Sequence, residues 1–201
     1  MEGGTAALSA AIGARVRAER QARGWTLDQL ARAASVSRRM LVNVEQGEVN
    51  PSVGTLLRLS DALGVGLPAL VQPPQSSPLK VTRRGQGAAL WAGPAGGQGI
   101  LVAGTGPPDV VELWDWTLAA GESHTSAAHT PGTRELVHVL QGTITIESAG
   151  EAVTLHTGDA VSFFADSDHR YTNNAKRTAR FALAVFEPGV RAATLPHEGR
   201  G

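Results

Sequence analysis

The stretch TLDQLARAASVSRRMLVNVEQG, residues 26–47, constrains the fold of this chain more than any other. It reads as two short helices joined by a tight turn. Thr26 stands where a side-chain oxygen caps a helix, and Gln29, three residues on, completes the reciprocal spacing of a capping box. Leu27, Leu30 and Ala31 then share one helical face. Ala31 is small enough to let a second helix approach. The turn is Ala34-Ser35-Val36-Ser37, and the Ser37 hydroxyl is placed to cap the second helix. There Leu41 and Val44 are apolar at i, i+3, while Arg38, Arg39, Val42, Asn43 and Gln46 fall largely elsewhere. Gly47 follows, where a left-handed residue ends the helix.

This arrangement resembles the helix-turn-helix of the XRE-type, phage-repressor-like family, in which the second helix lies in the major groove of DNA. The likeness covers residues 9–71 and includes Leu30, Ala31, Val36, Ser37, Leu41, Glu45, Gly47 and Pro51 in order. Ser35 departs from it, because the family has glycine at that turn position. A non-glycine residue with positive φ is strained there. The resemblance implies a structural pair between Arg20, near the end of the first helix, and Glu45. It also implies that Ser37, Arg38, Arg39 and Asn43 face base edges. Arg takes guanine O6 and N7 together, and Asn takes adenine N6 and N7. Thr26, Gln29 and backbone amides at the helix starts would hold phosphates.

The surrounding chain completes a five-helix domain over residues 1–72. Residues 6–23 form the expected first helix, with Leu8, Ile12 and Val16 on one face and Gly24 as its stop. Ser52 caps a later helix whose inner face carries Leu56, Leu59 and Leu63, and Leu67–Val71 form a short last one. Net charge over 201 residues is zero. Residues 1–72 nevertheless hold eight Arg against six acids, and the remainder holds ten basic residues against twelve acids. The asymmetry of +2 against −2 places positive charge at the DNA-reading end. No apolar run is long enough to span a membrane, and residues 1–20 lack the pattern of a secretory signal. With cysteine absent, disulfides and thiolate metal sites are excluded, and a cytoplasmic location is expected.

The proline- and serine-rich run QPPQSSP, residues 72–78, opens an extended linker over residues 73–80. Beyond them, short strands recur about every ten residues. Patches at Ala88–Trp91 and Ile100–Val102 precede Val110–Leu118, Glu135–Leu140, Thr143–Glu147, Ala152–Leu155, Ala160–Phe164, His169–Thr172 and Ala179–Phe186. Glycine turns such as Gln141-Gly142 and Ala149-Gly150 join them. Regular short strands with such turns imply an antiparallel sandwich or barrel.

The spacing of Glu135 and Gly142, with His129 before them and Gly158, His169 and Asn173 after, resembles the cupin family, a small jelly-roll β-barrel. The likeness covers residues 81–188, and residues 189–201 form a tail. The chain is thus a multi-domain α + β protein, five helices joined to a jelly roll. Ala127 occupies the first histidine slot of the family, and five residues rather than three or four separate His129 from Glu135. Phe164 and Asp166 replace the family's proline and glycine in the second motif. Two imidazoles and one carboxylate facing into a barrel suit a divalent ion such as Fe, Zn, Ni or Mn. His129, Glu135 and His169 are the expected ligands, with His124 near enough in sequence to add a fourth. The same three groups equally suit hydrogen bonds to an organic ligand. His138, His156 and His197 read as surface or core residues.

Helix-turn-helix, short linker and single cupin together resemble a widespread bacterial regulator architecture. That implies a sequence-specific DNA-binding transcriptional regulator, a homodimer on a palindromic operator. Its barrel would sense a small-molecule effector or hold the dimer together. The same domain order also resembles an iron-dependent epoxidase of phosphonate antibiotic synthesis, which makes a metal-dependent cupin enzyme the alternative. No residue beyond the expected ligands stands out as catalytic. An antitoxin-like binding module is a third reading.

Overall fold

The computed structural model describes residues 2–72 and 79–192, without the side chains of residues 2–5. The chain divides into two compact units, one of Met1–Pro74 with Val190–Gly201 and one of Gln75–Gly189. The core of the proline-rich linker and the end of the tail, with His197, lie outside the described residues.

The helical unit contains α1 (Glu2–Ala22), α2 (Leu27–Ala33), α3 (Arg38–Gln46), α4 (Val53–Leu63) and α5 (Leu67–Val71). The first helix begins earlier than residue 6, because small residues at its start carry no stop signal. Both halves of the capping box form. The Thr26 amide donates to Gln29 Oε1 at 2.8 Å, and the Gln29 amide donates to Thr26 Oγ1 at 3.2 Å. Ser37 and Ser52 accept from Met40 and Thr55 amides in the same way. Each such cap is worth about 1 kcal/mol. Ile12, Val16, Leu30, Leu41, Leu56, Leu59, Leu63, Leu67 and Leu70 are fully buried and form one core. Burial of each stabilises by about 1.5–3 kcal/mol. Gly13 lets α1 meet α3, since a Cβ there would sit 2.2 Å from the Val44 carbonyl oxygen.

The second unit is an antiparallel jelly roll of two sheets. One has the order β1-β2-β3-β10-β5-β8 and the other β4-β9-β6-β7. The strands are β1 (Ala88–Ala92), β2 (Gln98–Gly104), β3 (Val110–Leu118), β4 (Ser123–Ser126), β5 (Arg134–Gln141), β6 (Thr143–Ser148), β7 (Glu151–His156), β8 (Ala160–Phe164), β9 (His169–Thr172) and β10 (Ala179–Glu187). Alternation in β3 and β10 buries Trp114, Trp116, Leu118, Phe181, Leu183 and Val185 between the sheets. Trp116 lies parallel to Phe181, their ring centroids 6.1 Å apart. Strand β4 is absent from the sequence reading. Its residues Ser-His-Thr-Ser carry no apolar alternation, and pairing with β9 alone makes them a strand.

Candidate functional site

The caps of α2 and α3 set the turn between them, and Ser35 adopts φ 51° at its tightest point. Leu41 and Val44 turn α3 inward. Arg39, Asn43 and Gln46 follow at i, i+4 and i+7, a single stripe on the opposite side. Ser37, Arg38, Arg39 and Gln46 are exposed, and Asn43 is half-buried. Thr26 and Gln29 spend their side-chain acceptors on the cap of α2.

Arg20 spans three elements. Its Nε and Nη2 donate to the two carboxylate oxygens of Glu45 on α3, at 2.6 and 2.8 Å. Its Nη1 donates to the Trp25 carbonyl ahead of α2, at 2.9 Å. The two side chains are only 12% and 7% exposed. The bond to Glu45 holds the Arg20 guanidinium above its ordinary pKa. The pair therefore braces α3 against α1. A further contact was not foreseen from the sequence. Arg38 Nε lies 3.1 Å from Asp28 Oδ1 on α2, with both side chains about two-thirds exposed. An exposed pair of this kind contributes ~0–1 kcal/mol and yields readily to a phosphate.

In the barrel, three side chains from distant positions meet. Glu135 on β5 and His169 on β9 both point inward and are buried. His129 arrives on the loop after β4. That loop is held by the His129 amide donating to the Ala165 carbonyl and the Ala128 amide donating to Asp168 Oδ1, each at 2.9 Å. The two extra residues Pro131-Gly132 are taken up in a turn with Gly132 at φ 90°. His129 Nε2 and His169 Nε2 each lie 3.2 Å from Glu135 Oε1. Burial alone would push the Glu135 carboxyl up, but the two imidazoles outweigh it and hold it below its ordinary value. Burial likewise opposes charge on His169, yet Glu135 and the Ser167 carbonyl keep that imidazole above its ordinary pKa.

These residues fit a divalent metal ion. Their donor atoms all lie within 4.8 Å of one another. His169 Nδ1 faces the Ser167 carbonyl at 2.9 Å, which fixes the tautomer with the Nε2 lone pair directed to the site. Although His169 Nε2 is close to Glu135, it makes no hydrogen bond of acceptable angle and is an orphaned buried atom. Tyr171, missed in the sequence, donates its hydroxyl to Glu135 Oε2 and leaves Oε1 for a ligand. The signal was available, because Tyr171 stands two residues after His169 and so shares its face of β9. His124 is not among the converging donors. It packs against Trp91 and Trp116, with ring centroids 5.2 and 4.6 Å away. Burial there, aided by His169, lowers its pKa to about 4. His138 and His156 are exposed.

The comparisons with known proteins agree with both halves. A helix-turn-helix profile matches residues 16–70 and a cupin-domain profile matches residues 114–186. The HTH-type transcriptional regulator SutR of Escherichia coli (strain K12) is 32% identical over 172 residues, covering 84% of this chain and 90% of that protein. The chain belongs to the XRE-type helix-turn-helix family with a C-terminal cupin domain. The immunity repressor of Bacillus phage phi105 is 40% identical over 60 residues, which is 30% of this chain and 42% of the repressor. An HTH_3 family transcriptional regulator from Vibrio cholerae has the same fold. Its TM-score is 0.71 at 24% identity, over 92% of this chain and 99% of that one. Within this XRE-cupin family, the departure at Ser35 is accommodated by a left-handed serine. No helix among the described residues is long and apolar enough to cross a membrane.

Proposed function

We infer that this XRE-cupin protein is a sequence-specific, cytoplasmic DNA-binding transcriptional regulator whose barrel senses an effector. The observation that carries the reading is the stripe of Arg39, Asn43 and Gln46 on a helix braced by Arg20 and Glu45. Likeness to SutR over most of both chains supports it. Arg39 and Asn43 read base edges from α3, while Arg38, Ser37, Thr26 and Gln29 lie at or beside the phosphates. A homodimer presents two such helices to a palindromic operator, with half-sites about 34–36 Å apart. The barrel is assigned to sensing rather than turnover. A helical unit kept only for assembly has no need of Arg39 and Asn43 in reading positions, nor of Arg38 beside the phosphates.

In the barrel, His129, Glu135 and His169 would hold one divalent ion. Such an ion supplies a buried positive charge able to bind an anionic or carbonyl-bearing small molecule. Tyr171 orients Glu135 for this role, and the Ser167 carbonyl orients His169. Trp116 stacks on Tyr171 with centroids 6.4 Å apart, so the aromatic cluster of Trp91, Trp114 and Trp116 adjoins the site and suits an effector with an apolar body.

Two experiments test the reading. Selection of fragments from a random DNA pool by the full chain is expected to enrich a palindromic consensus; no enrichment contradicts a regulator. Metal analysis after exposure to Fe(II), Zn, Ni or Mn is expected to give about one ion per chain, lost in Glu135→Ala. A wild-type chain that retains none of them assigns the triad to a metal-free organic ligand instead.

A further inference from the structure

Charge is distributed unevenly over the jelly-roll unit. Residues 62–108 contain no acid, and their only basic residues are Lys80, Arg83 and Arg84. From residue 85 to residue 189 the balance reverses, with five basic residues against eleven acids. Three of those five are engaged: Arg180 pairs with Asp115, Arg170 donates to Thr125, and Arg134 lies over the Phe164 ring. Lys80, Arg83 and Arg84 stand apart from them, since none joins an ion pair among the described residues. Residues 79–86 are all exposed, the longest such run among the described residues. The chain has no regular structure at residues 80–83. It then closes in a turn, the Gln86 amide donating to the Arg83 carbonyl at 2.9 Å with Gly85 at φ 79°. Arg83 and Arg84 thus leave the backbone from adjacent positions of a defined turn.

We propose that Lys80, Arg83 and Arg84 grip backbone phosphates of the DNA duplex beside the half-site that α3 reads, as a second, sequence-blind contact. This rests on the regulator reading and adds to it a contact from outside the helical unit. Charge favours it first. A unit whose remaining residues are strongly acidic is repelled by DNA everywhere except at this end, so the three cations set which end approaches. Their freedom favours it next. Arg38 must leave Asp28 to meet a phosphate, whereas these three have no acid to give up. Spacing agrees as well. Three extended steps from Lys80 to Arg83 cover about 10 Å, and one DNA strand presents a phosphate every ~3.4 Å of its axis. Arg83 and Arg84 bring the planar fork that takes two phosphate oxygens together. Reach is sufficient. Nine residue steps separate Val71, the end of α5, from Lys80. They confine the segment to within about 30 Å of the helical unit, roughly one turn of the duplex.

The test is a salt series. Affinity of the full chain for the selected operator and for a random duplex is measured in wild type and in the triple variant Lys80→Gln, Arg83→Gln, Arg84→Gln. Each phosphate contact contributes about 0.9 to the slope of log affinity against log salt. The triple variant is therefore expected to have a slope shallower by about 2–3 per chain. It should weaken operator and random duplex alike, on the order of 100-fold at 0.1 M salt, and leave their ratio unchanged. Arg39→Ala, by contrast, should change the ratio. Lys176→Gln with Arg177→Gln removes two exposed cations elsewhere on the same unit and is expected to keep the wild-type slope. If the triple variant fails to fold, Arg83→Gln and Arg84→Gln singly decide, each with a slope change of about 0.9. An unchanged slope and affinity in the triple variant, or an equal loss per charge in the Lys176 and Arg177 variant, overturns the proposal. The regulator reading is judged separately. Enrichment of an operator by wild type with no effect of the triple variant removes the phosphate contact and leaves the regulator. A wild type that enriches no sequence, yet binds random duplex more tightly than the triple variant, removes the regulator and leaves the contact. A wild type that binds no duplex at all removes both.

Discussion

In the helical unit, Arg38, Arg39 and Gln46 are exposed and come from one nine-residue helix, whereas in the barrel His129, Glu135 and His169 are largely buried and come from a loop and two strands. The difference follows from what each must meet. A helix that enters a groove needs its polar groups outside and its backbone rigid, so the fold spends its buried charges on the brace, Arg20 with Glu45. A barrel that encloses a small ligand needs its polar groups inside, so it must pair or orient every one of them. The same residue types therefore do opposite jobs. Glu45 is buried to stiffen, and Glu135 is buried to bind.

The strongest challenge to this contrast removes the brace. Arg20→Ala leaves the Glu45 carboxylate little exposed and without its two bonds, and is expected to destabilise the helical unit by about 3 kcal/mol in denaturant unfolding. Arg20→Lys should recover little, because lysine cannot make the two-pronged contact. A loss below about 1 kcal/mol would place the pair among ordinary surface ion pairs.

The barrel responds to acid instead. The pKa of His124 is lowered from its ordinary 6.5 to about 4, so the unfolded chain binds a proton there more readily than the folded one. Its contribution is complete above pH 6.5 and is lost as pH falls toward about 4. The expected loss is up to about 3 kcal/mol over that window. Between pH 6.5 and about 4 the melting temperature of His124→Phe should fall less steeply with pH than that of wild type if this imidazole is the cause; equal slopes in both proteins would contradict it.

Two smaller changes sharpen the picture on the helical side. Ser35→Gly relieves a left-handed serine and should raise stability by about 0.5–1 kcal/mol, read as a higher unfolding midpoint. Asp28→Asn frees Arg38 and removes a negative charge beside the phosphates. It should tighten DNA binding by less than about 1 kcal/mol while leaving stability unchanged. Weaker binding by Asp28→Asn would mean that the ion pair positions Arg38 for DNA.

These two regions were also unequally legible. Capping and periodicity are local, so Thr26, Ser37, Leu41, Val44 and Gly47 outline α2 and α3 from sequence alone. Arg20 and Glu45 were paired through family likeness rather than local pattern. Asp28 and Arg38 lie on different helices, and no local rule brings them together. In the barrel the strands of regular alternation could be read, but β4 could not. The meeting of His129, Glu135 and His169 depends on strand register and on a tethered loop, and it was reached only through the spacing of a known family. Leu136 and Leu140 in β5 were visible as apolar residues, yet which face of the sheet they occupy required the pairing of β5 with β10.

The most direct test of the division between an outward-reading helix and an inward-binding barrel is the affinity of wild type and Arg39→Ala for the selected operator and for its single-base variants. The expected result is a loss of about 1–3 kcal/mol in Arg39→Ala, with discrimination relaxed at one base pair per half-site and undiminished elsewhere. Unchanged affinity with unchanged discrimination would contradict the placement of α3 in the groove.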